Sequence, residues 1–197
     1  MEHILIRKKA AGLSGGFPAL LRRTPVIPSV KSPEDLERCL SLEGGIIFSF
    51  LGDILTIPGL IARIKAAGKL PMVYVDLIEG LSGRDPAVDF LAKAGAGGIL
   101  SIKPNLIKRA KVLGLLTIQR FFVLDSISLV NIEKQLPLEY ADAIEVIPGV
   151  IPKTIRRLAG IVGKPIIAGG LVADREDVEA ALAAGAVSVS SSNIALV

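Results

Sequence analysis

The chain of 197 residues has a single cysteine, a single histidine and no tryptophan, and each scarcity excludes a class of function. Cys39 alone cannot build a disulfide framework or a cysteine-based metal cluster, and so little cysteine favours a reducing, cytoplasmic location. The one histidine, His3, argues against Ser-His-Asp catalysis and against two-histidine metal sites. We therefore expect neither a metal nor a cofactor.

A membrane span is not expected either, although the mean hydropathy is high at +0.58. The apolar stretch 44–62 carries Asp53 near its centre and is interrupted by Gly52, Pro58 and Gly59. An aspartate at the centre of a bilayer opposes insertion by roughly 2.5–3.5 kcal/mol. Residues 1–24 form a poor signal peptide, and we interpret them as a lead-in to a single domain that spans residues 1–197.

Two strand-like segments near the C-terminus end in small residues that suit a phosphate. The first runs into Gly169 and Gly170, and the second ends in Ser190 and Ser191. In a (β/α)8 barrel, the loops after strands seven and eight commonly hold a phosphate at a helix N-terminus. A tight turn and small side chains inside the barrel explain the same residues without a ligand. Their consecutive order, with Asp174 opening the next helical stretch, favours the ligand.

The whole chain alternates short β-branched runs with amphipathic stretches that close on glycine, which predicts a parallel sheet surrounded by helices. The predicted strands are 25–30, 45–50, 71–76, 98–102, 116–121, 143–147, 165–168 and 187–190. The predicted helices are 32–42, 57–67, 85–94, 104–113, 126–135, 152–161 and 174–184. Gly68, Gly95, Gly114, Gly163 and Gly185 stand where these helices should stop. We predict an α/β fold, a compact (β/α)8 TIM-type barrel, with a doubly wound open sheet as the alternative.

Polar residues at the predicted strand ends should meet at one rim, where barrel chemistry takes place. They are Asp53, Asp76, Lys103, Gln119, Arg120, Asp125 and Glu145. Side chains alternate along a strand, so Gln119 and Lys103 are expected to point inward if the smaller residues fill the barrel. The charges fit a structural ring of salt bridges, for example Arg120 with Glu145 or Asp76. Lys103 equally suits a Schiff base or a bound phosphate.

Several of these blocks are similar to a known family. Residues 75–81, 98–103, 117–126, 144–149 and 166–171 resemble the glycerol-3-phosphate-responsive antiterminators of bacterial glycerol operons. The resemblance covers residues 25–192, and the Gln-Arg-Phe-Phe-Val-Leu-Asp-Ser and Glu-Val-Ile-Pro-Gly blocks at 119–126 and 145–149 are its specific parts. It implies a cytoplasmic regulator, not an enzyme, that binds glycerol 3-phosphate and then leader mRNA to prevent transcription termination.

The resemblance also suggests which residues line the ligand pocket. They are Asp76, Lys103, Arg120, Asp125, Glu145, Gly169, Gly170, Ser190 and Ser191. Backbone amides at Gly170 and Ser191 would hold the phosphate, and a carboxylate would accept hydrogen bonds from the glycerol hydroxyls.

RNA binding has the least support in the sequence. The net charge is +4, and aromatic residues make up only 4% of the chain, so no base-stacking platform is visible. We expect Lys108, Arg109 and Lys111, on the fourth predicted helix, to contact RNA phosphates, with Arg7, Lys8 and Lys9 as a competing surface. Solvated helix faces explain such clusters equally well.

Three classes of function remain open at this point. The first is a ligand-sensing RNA-binding antiterminator. The second is a phosphosugar isomerase or aldolase that uses Lys103 and a rim carboxylate such as Asp76 or Glu145. The third is a phosphate-binding module that acts through protein partners. The sequence leaves the oligomeric state open, including a homo-oligomer.

Overall fold

Eight short β-branched segments form parallel strands in the computed structural model, which describes residues 16–135 and 138–197. The strands follow one another in chain order and β1 pairs with β8, which closes the barrel. Their bounds are β1 (Val26–Val30), β2 (Ile46–Ser49), β3 (Leu70–Tyr74), β4 (Gly98–Ser101), β5 (Leu116–Phe122), β6 (Ala143–Ile147), β7 (Ile166–Gly169) and β8 (Ser188–Ser191). The predicted (β/α)8 fold is confirmed, and the open sheet is not.

In the described part of the chain, seven helices lie outside the barrel at the predicted places, and one further helix precedes β1. Their bounds are α1 (Gly16–Arg22), α2 (Pro33–Ser41), α3 (Ile57–Ala66), α4 (Asp85–Lys93), α5 (Pro104–Val112), α6 (Ser126–Lys134), α7 (Pro152–Ala159) and α8 (Arg175–Ala183). Two short 3-10 helices cover Val75–Leu77 and Ile194–Leu196. Among the described residues, no helix is long and apolar enough to cross a membrane.

Local signals explain why the helices begin and end where they do. The Ser32 hydroxyl accepts a hydrogen bond from the Asp35 amide at 3.1 Å, and Pro33 occupies the first turn of α2. Gly95 follows α4 with a φ of +87°, a conformation that favours glycine. Gly163 also has a positive φ, but α7 already ends at Ala159, so the predicted stop there is several residues late.

The sequence pattern did not predict α1, which lies within the lead-in segment. Phe17 and Leu21 are buried in the apolar cluster that fills the barrel interior. The Ser188 hydroxyl, at the start of β8, donates to the Leu21 carbonyl at 2.7 Å and to the Thr24 carbonyl at 2.9 Å. Helix α1 therefore closes the amino-terminal end of the barrel and leaves the carboxyl end open.

Candidate functional site

A pocket of about 370 Å³ opens at the carboxyl end of the barrel. Every lining residue belongs to the end of a strand or to the loop after it. The lining comprises Ser29, Lys31, Phe50, Tyr74, Leu77, Arg120, Phe122, Ile147, Gly170, Leu171, Val172, Ser190, Ser191 and Ser192. This is the end at which barrel proteins carry their sites.

A buried ion pair forms the floor of the pocket. Glu145 on β6 is fully buried, and Arg120 on β5 lies beside it in the strand register with 7% of its surface exposed. The Arg120 Nε–H donates to Glu145 Oε2 at 2.5 Å, and the Ser190 hydroxyl donates to Glu145 Oε1 at 2.5 Å. Both carboxylate oxygens are therefore engaged within the barrel, and the guanidinium, which lines the pocket, is fixed from below.

Two aromatic rings hold the same guanidinium from the side. The central carbon of Arg120 lies 4.1 Å from the Tyr74 ring centroid and 4.8 Å from that of Phe50. The rings pack edge to face, with centroids 5.3 Å apart. Burial raises the pKa of the Tyr74 hydroxyl, and the Arg120 charge offsets part of that rise. Arginine is thus immobilised by charge and by cation–π contact together.

The β7 and β8 loops present further hydrogen-bond donors in the pocket lining. Gly170 and Leu171 have φ values of +75° and +62°, and a left-handed conformation is unusual for leucine. Among the described residues, no acceptor is bound to the backbone N–H of Gly170, Leu171 or Ser192. The Lys31 ammonium lies 3.4 Å from the Ser192 hydroxyl. Free amides beside a lysine are suited to an anion.

The structure gathers six of the nine residues predicted for the ligand pocket. Arg120, Gly170, Ser190 and Ser191 line it. Glu145 lies beneath Arg120, and Gly169 packs so closely that a Cβ there would lie 2.5 Å from Glu145 Oε1.

Asp76 and Lys103 are not among the lining residues. Asp76 lies on the 3-10 helix after β3, where its Oδ2 accepts from the Ser101 hydroxyl at 2.8 Å and from the Ile102 amide at 3.0 Å. The Lys103 ammonium is 3.5 Å from Asp76 Oδ1. These contacts form a cluster between the ends of β3 and β4, separate from the pocket lining.

The prediction that Gln119 points inward is wrong. Its side-chain amide donates to Gln135 at the end of α6, so it faces the helical layer and Arg120 takes the inward face. The prediction assumed that the smaller residues fill the barrel, whereas Leu116 and Ile118 belong to the interior cluster and Thr117 and Gln119 lie on the other face.

Asp125 also lies outside the pocket lining. It caps α6, and its carboxylate accepts from the Ser128 amide at 2.7 Å. Hydrogen bonds from Ser128 to the carboxylate lower its pKa. This cap is a sufficient structural reason for an aspartate at that position.

The basic residues predicted to contact RNA lie on α5, in the outer helical layer. Arg109 donates to Asp89 on α4 at 3.1 Å through Nε and at 2.6 Å through Nη2. Lys111 is paired with Asp142, and the Lys108 ammonium lies 5.4 Å from the Tyr140 ring centroid. The competing cluster at Arg7, Lys8 and Lys9, like His3, lies outside the described residues.

Sequence reasoning missed several pocket residues. Lys31 and Ser192 follow β1 and β8 directly, and a search for every polar residue after every strand would have found them. Phe50, Tyr74 and Phe122 gave no such signal, because an aromatic at a strand end also fits the apolar core. Within the described part of the chain, no group of three or more His, Cys, Asp or Glu side chains could hold a metal ion.

Comparison with known proteins adds independent information. The model of the family described as "Glycerol-3-phosphate responsive antiterminator" matches residues 26–197. YgcP of Escherichia coli strain K12 is 40% identical over 175 residues, which covers 88% of this chain and 92% of YgcP.

Solved structures of similar proteins include an antiterminator, an antiterminator-related protein and other barrels of the same fold. The glycerol uptake operon antiterminator regulatory protein of Listeria monocytogenes is 32% identical with a TM-score of 0.82, covering 87% of this chain and 93% of that one. An antiterminator-related protein of Thermotoga maritima is also 32% identical, with a TM-score of 0.75 and coverage of 86% and 95%. The deoxyribose phosphate aldolase of Aeropyrum pernix shares the fold at 16% identity, with a TM-score of 0.66 and coverage of 95% and 92%.

Proposed function

Because this chain belongs to the glycerol-3-phosphate responsive antiterminator family, we propose that it binds glycerol 3-phosphate in the pocket at the carboxyl end of the barrel. The liganded protein then binds the leader mRNA of a glycerol-catabolic operon and prevents transcription termination. It acts in the cytoplasm as a regulator rather than as an enzyme.

The observation that carries the ligand proposal is the pairing of a fixed guanidinium with free backbone amides across one pocket. Glu145 balances the charge of Arg120, so Lys31 supplies the additional positive charge among the described lining residues. We place the phosphate beside Lys31, Ser192 and the amides of Gly170 and Leu171. The hydroxyl of Ser191 donates to the Val172 carbonyl at 3.0 Å, so we assign Ser191 to the pocket lining and not to a hydrogen bond from this hydroxyl to the ligand.

The glycerol hydroxyls are then directed towards the guanidinium of Arg120. The Nε–H of Arg120 is occupied by Glu145, so its remaining N–H groups are the donors offered to a ligand oxygen. Ser29 adds a hydroxyl to the same lining. Glu145 and Gly169 act from beneath by fixing Arg120 and Ser190, without ligand contact of their own.

Calorimetry with paired lysine variants tests this placement. Lys31→Gln should weaken glycerol 3-phosphate binding about tenfold to a hundredfold, the range expected for one charged hydrogen bond. Lys103→Gln is the matched control, because that lysine lies at the same rim beside Asp76 and outside the pocket lining. Equal losses of affinity in both variants would contradict the placement of the phosphate beside Lys31. Equal affinity of the wild type for glycerol and glycerol 3-phosphate would contradict it as well.

The RNA step rests on the family and is tested separately. A gel-shift titration should show that glycerol 3-phosphate raises affinity for leader RNA but not for an unrelated transcript. If glycerol 3-phosphate binds but leaves the affinity for leader RNA and for the unrelated transcript unchanged, a phosphate-responsive module that acts through protein partners becomes the better proposal. The same samples, analysed by sedimentation, report whether the active form is a homo-oligomer.

The enzymatic alternative depends on Lys103 as the reactive amine. Its ammonium is 3.5 Å from the Asp76 carboxylate, in the cluster outside the pocket lining, which favours a structural ion pair over a Schiff base. Borohydride trapping with triose phosphates should therefore leave Lys103 unmodified. A trapped adduct at that lysine, together with turnover, would favour an aldolase-type activity.

A further inference from the structure

Exposed apolar side chains surround the mouth of the pocket. Leu77, Phe122 and Leu171 expose 54%, 44% and 76% of their surface, and all three also line the pocket. Exposed apolar residues that rim a binding pocket are one mark of an interaction site, whereas single ones scattered over a surface need no explanation. These three lie at the carboxyl ends of β3, β5 and β7, and together they give the pocket mouth apolar groups on several sides.

The pocket is larger than a three-carbon phosphate requires. Its volume of about 370 Å³ falls in the range of cavities that enclose much larger organic ligands. The lining combines polar donors on Lys31, Arg120 and the β7 and β8 loops with the exposed apolar side chains of Leu77, Phe122 and Leu171. A ligand that satisfies both kinds of group is an anion with an apolar substituent.

Leu171 gives a second reason to assign a role to the apolar mouth. Its φ of +62° costs a leucine about 1–2 kcal/mol relative to glycine, and 76% of its surface is nevertheless exposed. The preceding residue, Gly170, also has a positive φ, and a Cβ there would lie 2.9 Å from Ile147 Cγ2. Strained residues of this kind concentrate at ligand clamps. Packing within the barrel does not explain the leucine, since its side chain is mostly solvent-exposed.

We propose that the pocket also accepts glycerol 3-phosphate carrying an acyl chain, with the chain lying against Leu77, Phe122 and Leu171. This inference rests on the proposed function, because the phosphate and glycerol occupy the site described above. The acyl ester adds apolar contact without removing the anion on which Lys31 and the free amides depend. The regulator is then responsive to acylated as well as free glycerol phosphate.

Calorimetry with short-chain esters tests the proposal directly. Glycerol 3-phosphate is compared with its butanoyl and hexanoyl monoesters, all below the concentration at which they form micelles. Wild-type affinity should increase with chain length, by about fourfold from butanoyl to hexanoyl if half of the added surface is covered. Equal affinities for the free phosphate and both esters would overturn the proposal.

Two matched double variants locate the chain. Leu77→Gln and Phe122→Gln together should remove most of the gain with chain length and leave glycerol 3-phosphate affinity unchanged, since neither residue is assigned to the phosphate or to the glycerol hydroxyls. Leu124→Gln and Ile127→Gln replace apolar residues that are at least as exposed and do not line the pocket, and should keep the gain. A gain that persists in the first variant, or disappears in the second, contradicts the placement.

The remaining outcomes separate this inference from the function on which it rests. If the free phosphate binds and the esters bind no tighter, only the acyl proposal fails. If none of the three compounds binds, the proposed function fails with it. If sedimentation shows a dimer that excludes the esters and dissociates in the first double variant, the mouth is covered by a second copy of the chain and the acyl proposal is wrong.

Discussion

At the scale of single residues, the pocket depends on a charge that is held inside the barrel by its neighbours. Arg120 lies between a fully buried carboxylate and two aromatic rings. Removing one member of a buried ion pair costs far more than removing both, because the remaining charge stays desolvated. The contributions of Arg120 to stability and to ligand binding can therefore be separated.

Glu145→Gln should lower the free energy of unfolding by about 3 kcal/mol and weaken glycerol 3-phosphate binding, because Arg120 loses its counter-charge. Adding Arg120→Met to that variant should recover much of the stability and none of the affinity. Chemical denaturation and calorimetry on the single and double variants measure both effects. Recovery of affinity in the double variant would show that Arg120 does not contact the ligand.

Gly169→Ala tests the close packing beneath the pocket. The new Cβ would lie 2.5 Å from Glu145 Oε1 and would crowd the Ser190 hydroxyl, so ligand affinity should fall as the floor shifts. Gly160→Ala is the control, since its Cβ would make only an ordinary contact of 3.5 Å with the Arg157 carbonyl. Unchanged ligand affinity in Gly169→Ala would mean that the packing around Glu145 and Ser190 does not affect ligand binding.

Prediction from sequence succeeded for the ends of strands and failed for the directions of some side chains. Arg120 was expected to pair with Glu145 or Asp76 because parallel strand ends meet at one rim, and it pairs with Glu145 in the register of β5 and β6. The inward face of β5 was predicted wrongly because small residues were expected to fill the barrel, whereas Leu116 and Ile118 do so. Only three-dimensional packing decides between those faces.

At the scale of secondary-structure elements, caps and glycines made the helices predictable. The observed bounds of α2, α4 and α8 differ from the predicted ones by no more than one residue at either end. Ser32 and Asp174 cap the starts of α2 and α8, and Gly95 follows the end of α4. Helix α1 has only 7 residues, including Pro18, and exists because Phe17 and Leu21 are buried against the barrel. Such a helix has no local signal to read.

Asp125→Ala should destabilise α6 without changing ligand affinity, because the carboxylate caps the helix and does not line the pocket. Its pKa is lowered from 3.8 by hydrogen bonds from Ser128. The stabilising contribution is therefore present above that value and is lost as the pH falls through the lower pKa of the folded state. Thermal melts of wild type and variant should thus converge in acid. A loss of ligand affinity in Asp125→Ala at neutral pH would show that Asp125 contributes to ligand binding.

Neutralising Lys108, Arg109 and Lys111 together tests α5 as the RNA surface. If these residues contact phosphates, leader-RNA binding should weaken, and its log–log salt slope should fall by about 0.7–0.9 for each contact. Ligand affinity should survive, since these residues pair with Asp89, Asp142 and Tyr140 outside the pocket lining. The same measurement on a variant neutralised at Arg7, Lys8 and Lys9 shows which of the two clusters contributes more to RNA affinity. Wild-type RNA affinity and slope in both variants would exclude direct contact through either cluster.

At the scale of the whole molecule, the pocket draws on loops from most of the barrel, so ligand binding should stabilise the entire fold. A ligand specific for the native state adds about 2.7 kcal/mol at a hundredfold excess over Kd. Glycerol 3-phosphate should therefore raise the melting temperature by several degrees, and glycerol, which lacks the phosphate, should raise it far less. Equal shifts for the two compounds would argue against recognition of the phosphate.

Within the described residues, α1 packs against the amino-terminal end of the barrel and the pocket opens at the carboxyl end. Phe17 and Leu21 belong to the apolar cluster that fills the barrel interior, so the proposed effector would enter and leave at the carboxyl rim, where Leu77, Phe122 and Leu171 lie. If a macromolecule that binds at that rim raises the affinity for the effector, thermodynamic linkage requires the effector to raise the affinity for the macromolecule by the same factor. Because the pocket opens at one end of the barrel, this rim is where the two binding events would be coupled.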